Sequence, residues 1–436
     1  MGQQGVERFS KLYFWLKKYV DFCYKRFYKV RYINKSKELN TLAGIFVSNH
    51  QNASMDPLAI LTSFTWQPVF LARADIFNKK PIARILRFLK ILPVYRIRDG
   101  FDQLSNNQEI FDQTFQVFEN GSSIVLFPEG THSGKKQVQN LKKGVARIAF
   151  SYRHNNSKKN EIKIIPIGLN YESYHDPGSQ LIINFGEPLS ISAYDSAYAE
   201  NPAKAVNSAV YELKNQLQNL SLHIKNDDIY PVADFIAHLY FEKAKVQNQK
   251  PGEILSIQKK LITNVETLFD NSPEEFEKIS NHADRFMKHL GKFNIKQQYL
   301  EILFIKNRTL HILWQSLLLM TSLPLYIYAF INNIIPVLLI RKVTRMITDT
   351  QFKSSVLFVG SILVAPVIHL IQAAAVAILL SSLKWGLVYL LSLPLSYWFK
   401  LKWERLFKRW KNSIKLMRRF KNIREDFLLL KEFISF

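Results

Sequence analysis

The sequence predicts an α/β fold: a mostly parallel sheet flanked by helices, followed by a helical region and C-terminal membrane helices. Three observations carry that expectation. Between about 41 and 222, short apolar runs alternate with stretches of helical pattern. Residues 226–305 are helical in pattern, polar and mixed in charge, with Pro251-Gly252 and Asn271-Ser272-Pro273 reading as turns. Beyond them, three long apolar runs lie close together.

The elements follow in chain order. Phe9, Leu12, Tyr13, Leu16, Tyr19, Val20, Cys23 and Phe27 recur at helical spacing, with Lys11, Lys18, Lys25 and Lys29 on the opposite face. Residues 1–40 therefore read as a basic amphipathic N-terminal membrane-contact helix, the alternative being a terminal helix packed on its own domain. The stretch is too charged for a signal peptide. Strands are expected at Gly44–Ser48, Val69–Ala72, Ile91–Tyr95, Ser123–Phe127, Ile162–Leu169 and Leu181–Phe185. Helices are expected at Pro57–Phe64, Lys80–Leu89, Gln108–Glu119, Lys142–Arg153 and Asn201–Asn219.

The apolar runs are 310–340, 356–380 and 385–399; none contains Lys, Arg, Asp or Glu. A bilayer core takes roughly 20 apolar residues in a helix. The first run is too long for one span and is expected to break at Asn332-Asn333; the third is short. Arg341, Lys342, Arg345 and Lys353 flank the runs on one side, and Lys402, Arg405, Lys408, Arg409 and Lys411 on another. Two hairpins, 310–340 and 356–399, would place both basic flanks on the cytoplasmic side. The expected division is 1–40, 41–225, 226–308, a membrane region 309–400 and a basic cytoplasmic tail 401–436.

Composition bounds the function. The 436 residues carry 59 Lys+Arg against 35 Asp+Glu, a net charge of +24. With 47% hydrophobic residues, global disorder is excluded. The single cysteine, Cys23, excludes an intramolecular disulfide framework and a cysteine zinc site. The surplus charge suits nucleic acid, anionic lipid or a phosphorylated substrate. Because the basic residues concentrate beside apolar runs, lipid is favoured and nucleic acid is not expected.

Chemistry-bearing residues fall in the alternating region. Ser48-Asn49-His50-Gln51-Asn52-Ala53-Ser54-Met55-Asp56 follows a strand and opens a helix. Histidine is the side chain best suited to take a proton near neutral pH, and an Asp close by can fix its tautomer. Capping and loop hydrogen bonds are the other reading of this pair. Phe127-Pro128-Glu129-Gly130-Thr131-His132 follows another strand, and its loop leads towards Lys142-Lys143-Gly144. Arg96 and Arg98 follow a third, where guanidinium groups can grip a phosphate in two-pronged fashion. Ile164-Ile165-Pro166-Ile167-Gly168-Leu169-Asn170-Tyr171 reads as a buried strand that shapes the floor of the site.

Together these segments resemble the four ordered motifs of the phospholipid/glycerol acyltransferase family. Further matches are Leu71-Ala72-Arg73-Ala74-Asp75-Ile76-Phe77 and Phe185-Gly186-Glu187-Pro188. The resemblance covers about residues 41–190. It implies transfer of a fatty acyl group from a thioester to a hydroxyl of a glycerol phosphate, in phospholipid biosynthesis. His50 would be the general base and Asp56 its orienting partner, with no acyl-enzyme. Arg96, supported by Arg98, would bind the acceptor phosphate. Glu129 and Gly130 would shape the acceptor site, with Thr131 and Lys143 beside them. No metal or cofactor is implied; acyl-coenzyme A or acyl-carrier protein would be the co-substrate, and the bilayer and a glycerol phosphate the other partners.

Two departures from the family pattern stand out. The common box has four residues between His and Asp, whereas this sequence has five. In a helix the extra residue would turn Asp56 about 100° away, so the loop must absorb it. This spacing resembles the fungal glycerol-3-phosphate/dihydroxyacetone-phosphate branch. The expected acceptor position is therefore the sn-1 hydroxyl of glycerol 3-phosphate or dihydroxyacetone phosphate, with sn-2 acylation of lysophosphatidate as the alternative and an inactive membrane scaffold as a remote one. The second departure is His132, where many relatives carry Arg.

Overall fold

The structure is a computed structural model that describes residues 5–94, 106–155 and 162–435. The chain forms two compact units. The first comprises residues 1–25, 30–171 and 181–222; the second comprises residues 26–29, 172–180 and 223–436.

The first unit is built on a mostly parallel sheet. Its strands are β1 (Lys29–Ile33), β2 (Gly44–Ser48), β3 (Val69–Arg73), β4 (Ile91–Val94), β5 (Ile124–Leu126), β6 (Lys163–Tyr171), β7 (Gln180–Phe185) and β8 (Leu189–Ser190). The order is β1-β7-β6-β2-β5-β3-β4, with β8 also on β6. Strands β6, β2, β5, β3 and β4 run parallel; β7 and β8 pair antiparallel with β6. Strands β1 and β8 were not expected. Both are short and only partly buried, so they carry little apolar pattern.

Side chains alternate across β2, as the two-residue period of a strand requires. Ile45 and Val47 join a core with Val69, Ile124, Ile164 and Val145. Phe46 faces the other way, 4.9 Å from the Phe64 ring and 5.5 Å from Trp66. Helices supply the crossovers: α2 (Met55–Leu61), α3 (Lys80–Phe88), α4 (Asn106–Glu119) and α5 (Gly144–Asn155), followed by α6 (Asp195–Glu200) and α7 (Pro202–Leu220). A Cβ on Gly168 would sit 2.2 Å from the Leu220 carbonyl oxygen, so glycine permits α7 to close on β6.

The N-terminal helix α1 (Lys11–Phe27) divides its apolar residues between two faces. Tyr13, Val20 and Tyr24 are buried, whereas Leu12, Trp15, Tyr19 and Phe22 are exposed. Lys17 lies within the buried face, its ammonium 2.8 Å from both Asp21 and the Phe64 carbonyl. The simple division into one apolar and one lysine face is therefore corrected: this helix packs on its unit and also presents an aromatic strip outward.

The second unit is helical: α8 (Tyr230–Val246), α9 (Pro251–Asn271), α10 (Pro273–Lys292), α11 (Arg308–Thr321), α12 (Leu323–Arg345), α13 (Phe352–Leu379), α14 (Leu383–Arg418) and α15 (Phe420–Phe433). Helices α12 and α13 are long and apolar enough to cross a membrane. Only 22% and 17% of their apolar windows are buried, so their apolar surface faces outward rather than into a core. The first apolar run breaks at Ser322, not at Asn332-Asn333, which lies inside α12. The physical reason is local. Pro336 lacks the amide hydrogen that would bond the carbonyl four residues back, that of Asn332. Gln372 Nε2 donates to that carbonyl instead, at 3.0 Å, and Asn333 is held by His369 and Ser396, each at 2.9 Å.

Residues 401–435 are not a free tail. They complete α14 and form α15, whose Ile423, Phe427 and Leu430 are buried. Asp426 accepts a 2.7 Å bond from His282 of α10. The apolar residues spaced among the basic ones account for this packing.

Candidate active site

The parallel strands deliver the sequence motifs to one edge of the sheet, the carboxyl ends where open α/β sheets place their ligands. The registers Val47↔Leu126 and Ser48↔Ile167 bring the ends of β2 and β5 together beside the middle of β6, which runs on to Tyr171. Asn49 extends the β2–β6 pairing beyond the strand. Its amide nitrogen donates to the Leu169 carbonyl at 3.0 Å, and its Oδ1 accepts from the Leu169 amide at 2.8 Å.

His50 Nδ1 lies 2.8 Å from Asp56 Oδ2. The expected helix Pro57–Phe64 starts earlier, at Met55, so Asp56 stands in the first turn of α2. The additional residue is taken up in the loop before it. Ala53 adopts a positive φ of 37° and is buried, a left-handed conformation that costs a non-glycine residue about 1–2 kcal/mol. Tyr24 braces the start of α2 by donating its hydroxyl to the Met55 carbonyl at 3.0 Å.

Four donors converge on the fully buried Asp56. Oδ2 accepts from His50 Nδ1 and from the amides of Gln51 and Asn52, each amide at 2.7 Å. Oδ1 accepts from the Tyr171 hydroxyl at 2.7 Å. A carboxylate held this way cannot swing, and it keeps the proton of His50 on Nδ1. The Nε2 lone pair is thereby presented to the site, and the His50 side chain retains 17% exposure. Its ring stacks on Phe127 at 4.5 Å and meets the His132 ring edge-on at 5.5 Å. His132, which departs from the family pattern, thus lies directly beside His50.

Glu129 is buried, and Oε1 accepts from the His50 amide at 3.3 Å. Oε2 is buried without a hydrogen-bond partner among the described residues, whereas a buried polar atom ordinarily has one. Burial is the main force that pushes its pKa up to about 8; the nearby Asp56 charge adds to the rise, while hydrogen bonds from the His50 and Gln139 amides oppose it. Gly130 follows at φ 72°, with the Lys142 side chain as its neighbour, and the Lys142 amide donates to the Pro128 carbonyl at 2.7 Å. Thr131 and Lys143 are exposed, Lys143 immediately before α5. Arg96 and Arg98 lie outside the described residues, two and four positions beyond the end of β4. Among the described residues, no three His, Cys, Asp or Glu side chains gather to hold a metal ion.

Sequence reasoning missed the roles of Tyr171 and Asn49. Both residues stood inside recognised segments, but their partners are 115 and 120 positions away. The signal that could have found Tyr171 is its position at the carboxyl end of an otherwise apolar strand.

Glu129 gives a pH-dependent expectation. The folded chain holds this proton more tightly than the unfolded chain, so stability falls as pH rises from the ordinary carboxyl value near 4.5 through about 8. Glu129→Gln should flatten the decline in melting temperature between pH 6 and 9. Parallel melting curves for the two proteins would contradict it.

Residues 29–170 match the family model described as Acyltransferase. Among curated proteins, glycerol-3-phosphate O-acyltransferase 1 of Saccharomyces cerevisiae is 24% identical over 168 residues, 38% of this chain and 22% of that protein. Glycerol-3-phosphate O-acyltransferase 2 of the same yeast is 23% identical over 158 residues, 36% of this chain and 21% of that protein. The match thus spans less than a quarter of the length of these relatives. Among solved structures, the 1-acyl-sn-glycerophosphate acyltransferase PlsC of Thermotoga maritima aligns with a TM-score of 0.31 and 21% identity, covering 47% of this chain and 80% of that one.

Proposed function

From the acyltransferase-family domain that residues 29–170 carry, we propose that this protein is a membrane-bound O-acyltransferase of glycerolipid synthesis. It moves a fatty acyl group from a thioester to the sn-1 hydroxyl of glycerol 3-phosphate or dihydroxyacetone phosphate. The observation that carries this reading is the His50–Asp56 contact at 2.8 Å, with Nε2 directed away from the carboxylate. The names of the two yeast relatives and the five-residue spacing of the His/Asp box support the acceptor.

In the reaction, His50 Nε2 takes the proton of the acceptor hydroxyl as its oxygen attacks the thioester carbonyl. Asp56 stabilises the imidazolium that forms. Collapse of the tetrahedral intermediate breaks the C–S bond, and the leaving thiolate recovers the proton from His50. Arg96 and Arg98 hold the acceptor phosphate, Glu129 Oε2 engages a glycerol hydroxyl, and Gly130 lets the loop backbone approach. Thr131 and Lys143 line the route of the anionic substrates. The acyl donor is acyl-coenzyme A or acyl-carrier protein, and no further cofactor takes part.

Membrane attachment rests on the outward apolar surfaces of α12 and α13 and on the exposed aromatic strip of α1. The basic C-terminal end of α12 and the basic half of α14 favour a cytoplasmic catalytic unit. The full chain should remain in the membrane pellet after alkaline carbonate extraction; release into the supernatant would contradict the attachment. The deciding assay offers purified protein an acyl thioester with glycerol 3-phosphate, dihydroxyacetone phosphate and lysophosphatidate in turn. Turnover of either of the first two supports the proposal. Turnover of lysophosphatidate alone replaces the acceptor, and turnover of none defeats the enzyme.

A further inference from the structure

The second unit contains a cavity of about 380 Å³ that plays no part in the chemistry above. Its walls come from the end of α12, the start of α13 and the middle of α14, with residues 175–177 and Tyr299 completing it. All of them lie outside the matched family segment.

The cavity is strongly cationic. Arg341, Arg345, Lys353, Lys400, Arg405 and Lys408 line it, against the carboxylates of Asp176 and Glu404. Both acids are engaged already: Glu404 with Lys400 at 2.6 Å, Asp176 with Lys296 at 3.5 Å. Arg341, Arg345, Lys353 and Lys408 form no salt bridge among the described residues, and Arg405 keeps a buried Nη1 without a hydrogen-bond partner. Like charges gathered around a concave space raise its potential until an anion enters. The same cavity has an apolar side made by Val337, Ile340, Leu357 and Leu401. A free inorganic anion has no use for that side; an amphiphile does. The place matters too, because Arg341, Arg345 and Lys353 stand where the apolar helix α12 ends and α13 begins, the level at which lipid head groups lie.

We propose that this cavity binds the phosphate-bearing head group of an anionic glycerophospholipid. Arg341 and Arg345 grip the phosphate in two-pronged fashion, Lys353 and Lys408 neutralise it, and the first carbons of the lipid lie against Val337, Ile340 and Leu357. The buried Lys400, paired with the half-buried Glu404, forms the base.

The test is binding to the full-length protein in neutral detergent, followed by native mass spectrometry. The probes are dioctanoyl phosphatidate, dioctanoyl phosphatidylcholine and inorganic phosphate. Phosphatidate should bind about tenfold tighter than phosphatidylcholine, and the exposed pair Arg341→Gln/Arg345→Gln should lose about tenfold in phosphatidate affinity. Lys342→Gln/Lys411→Gln removes the same charge from exposed positions outside the cavity and should change affinity by less than about twofold. Equal binding of the two lipids, or equal weakening by both double variants, would overturn the site. Displacement of phosphatidate by an equal concentration of inorganic phosphate would overturn the lipid assignment. The readout is independent of acyl transfer, so its failure would leave the proposed enzyme untouched.

Discussion

His50→Ala is expected to lower the acyl-transfer rate by about 10²–10⁴, the range that a positioned general base contributes. It should do so while leaving the fold intact. The His50 side chain is partly exposed, and the bond that its backbone amide makes to Glu129 survives the substitution. Membrane association should not change, because the proposed attachment rests on α1, α12 and α13 and not on the His50 side chain. Steady-state kinetics on purified protein, with melting temperature as the control for folding, decide the matter. Full activity in a folded variant would remove the imidazole from the mechanism.

Asp56→Asn is expected to approach the same loss in rate, and it should also weaken the fold. The side chain accepts four hydrogen bonds in a fully buried position. An amide offers one oxygen and one NH₂ group, so it cannot accept on both sides. Either the Gln51 and Asn52 amides lose their acceptor, or the NH₂ group faces the Tyr171 hydroxyl, which must then turn to accept and leaves its own proton without the acceptor it had. Each buried donor left unsatisfied costs about 1–3 kcal/mol. In the first orientation the NH₂ group also faces Nδ1 and favours the tautomer with its proton on Nε2, the wrong one for a base. Tyr171→Phe separates the two effects, because it removes the bond to Oδ1 and leaves the carboxylate itself in place. That variant should fold normally and lose about tenfold in rate, since the carboxylate keeps its other three donors. If Asp56→Asn turned over like the parent protein, the orientation of His50 would not depend on this carboxylate.

Much of the first unit was legible before its coordinates. Strand Gly44–Ser48 and helices near Lys80, Gln108 and Asn201 fall where their patterns placed them, because a buried face must repeat every two or 3.6 residues. The edge strand β1 was hidden, since an edge needs no apolar alternation. The face of α1 was misjudged because Tyr13, Val20 and Tyr24 pack inward while Trp15 and Phe22 do not, and composition is the same on both sides. In the second unit, the pair Asn332-Asn333 looked like a break. It is instead the polar seam of a helix bundle, where Gln372 replaces the donor that Pro336 lacks.

The order of amino acids by itself determined that a histidine and an aspartate stand after an apolar strand, that Glu129 and Gly130 follow another, and that basic residues adjoin apolar helices. Those are short-range facts, written within a few positions of one another. Only the tertiary structure decided that the widened box still closes. Closure needs Ala53 in a left-handed turn, Tyr24 under the start of α2, and Tyr171 arriving from 115 residues away to hold Asp56. None of these can be read locally, because each depends on strands brought side by side by the burial of their neighbours. The burial of a common core, rather than any single motif, is what turns two ordinary side chains into an oriented base.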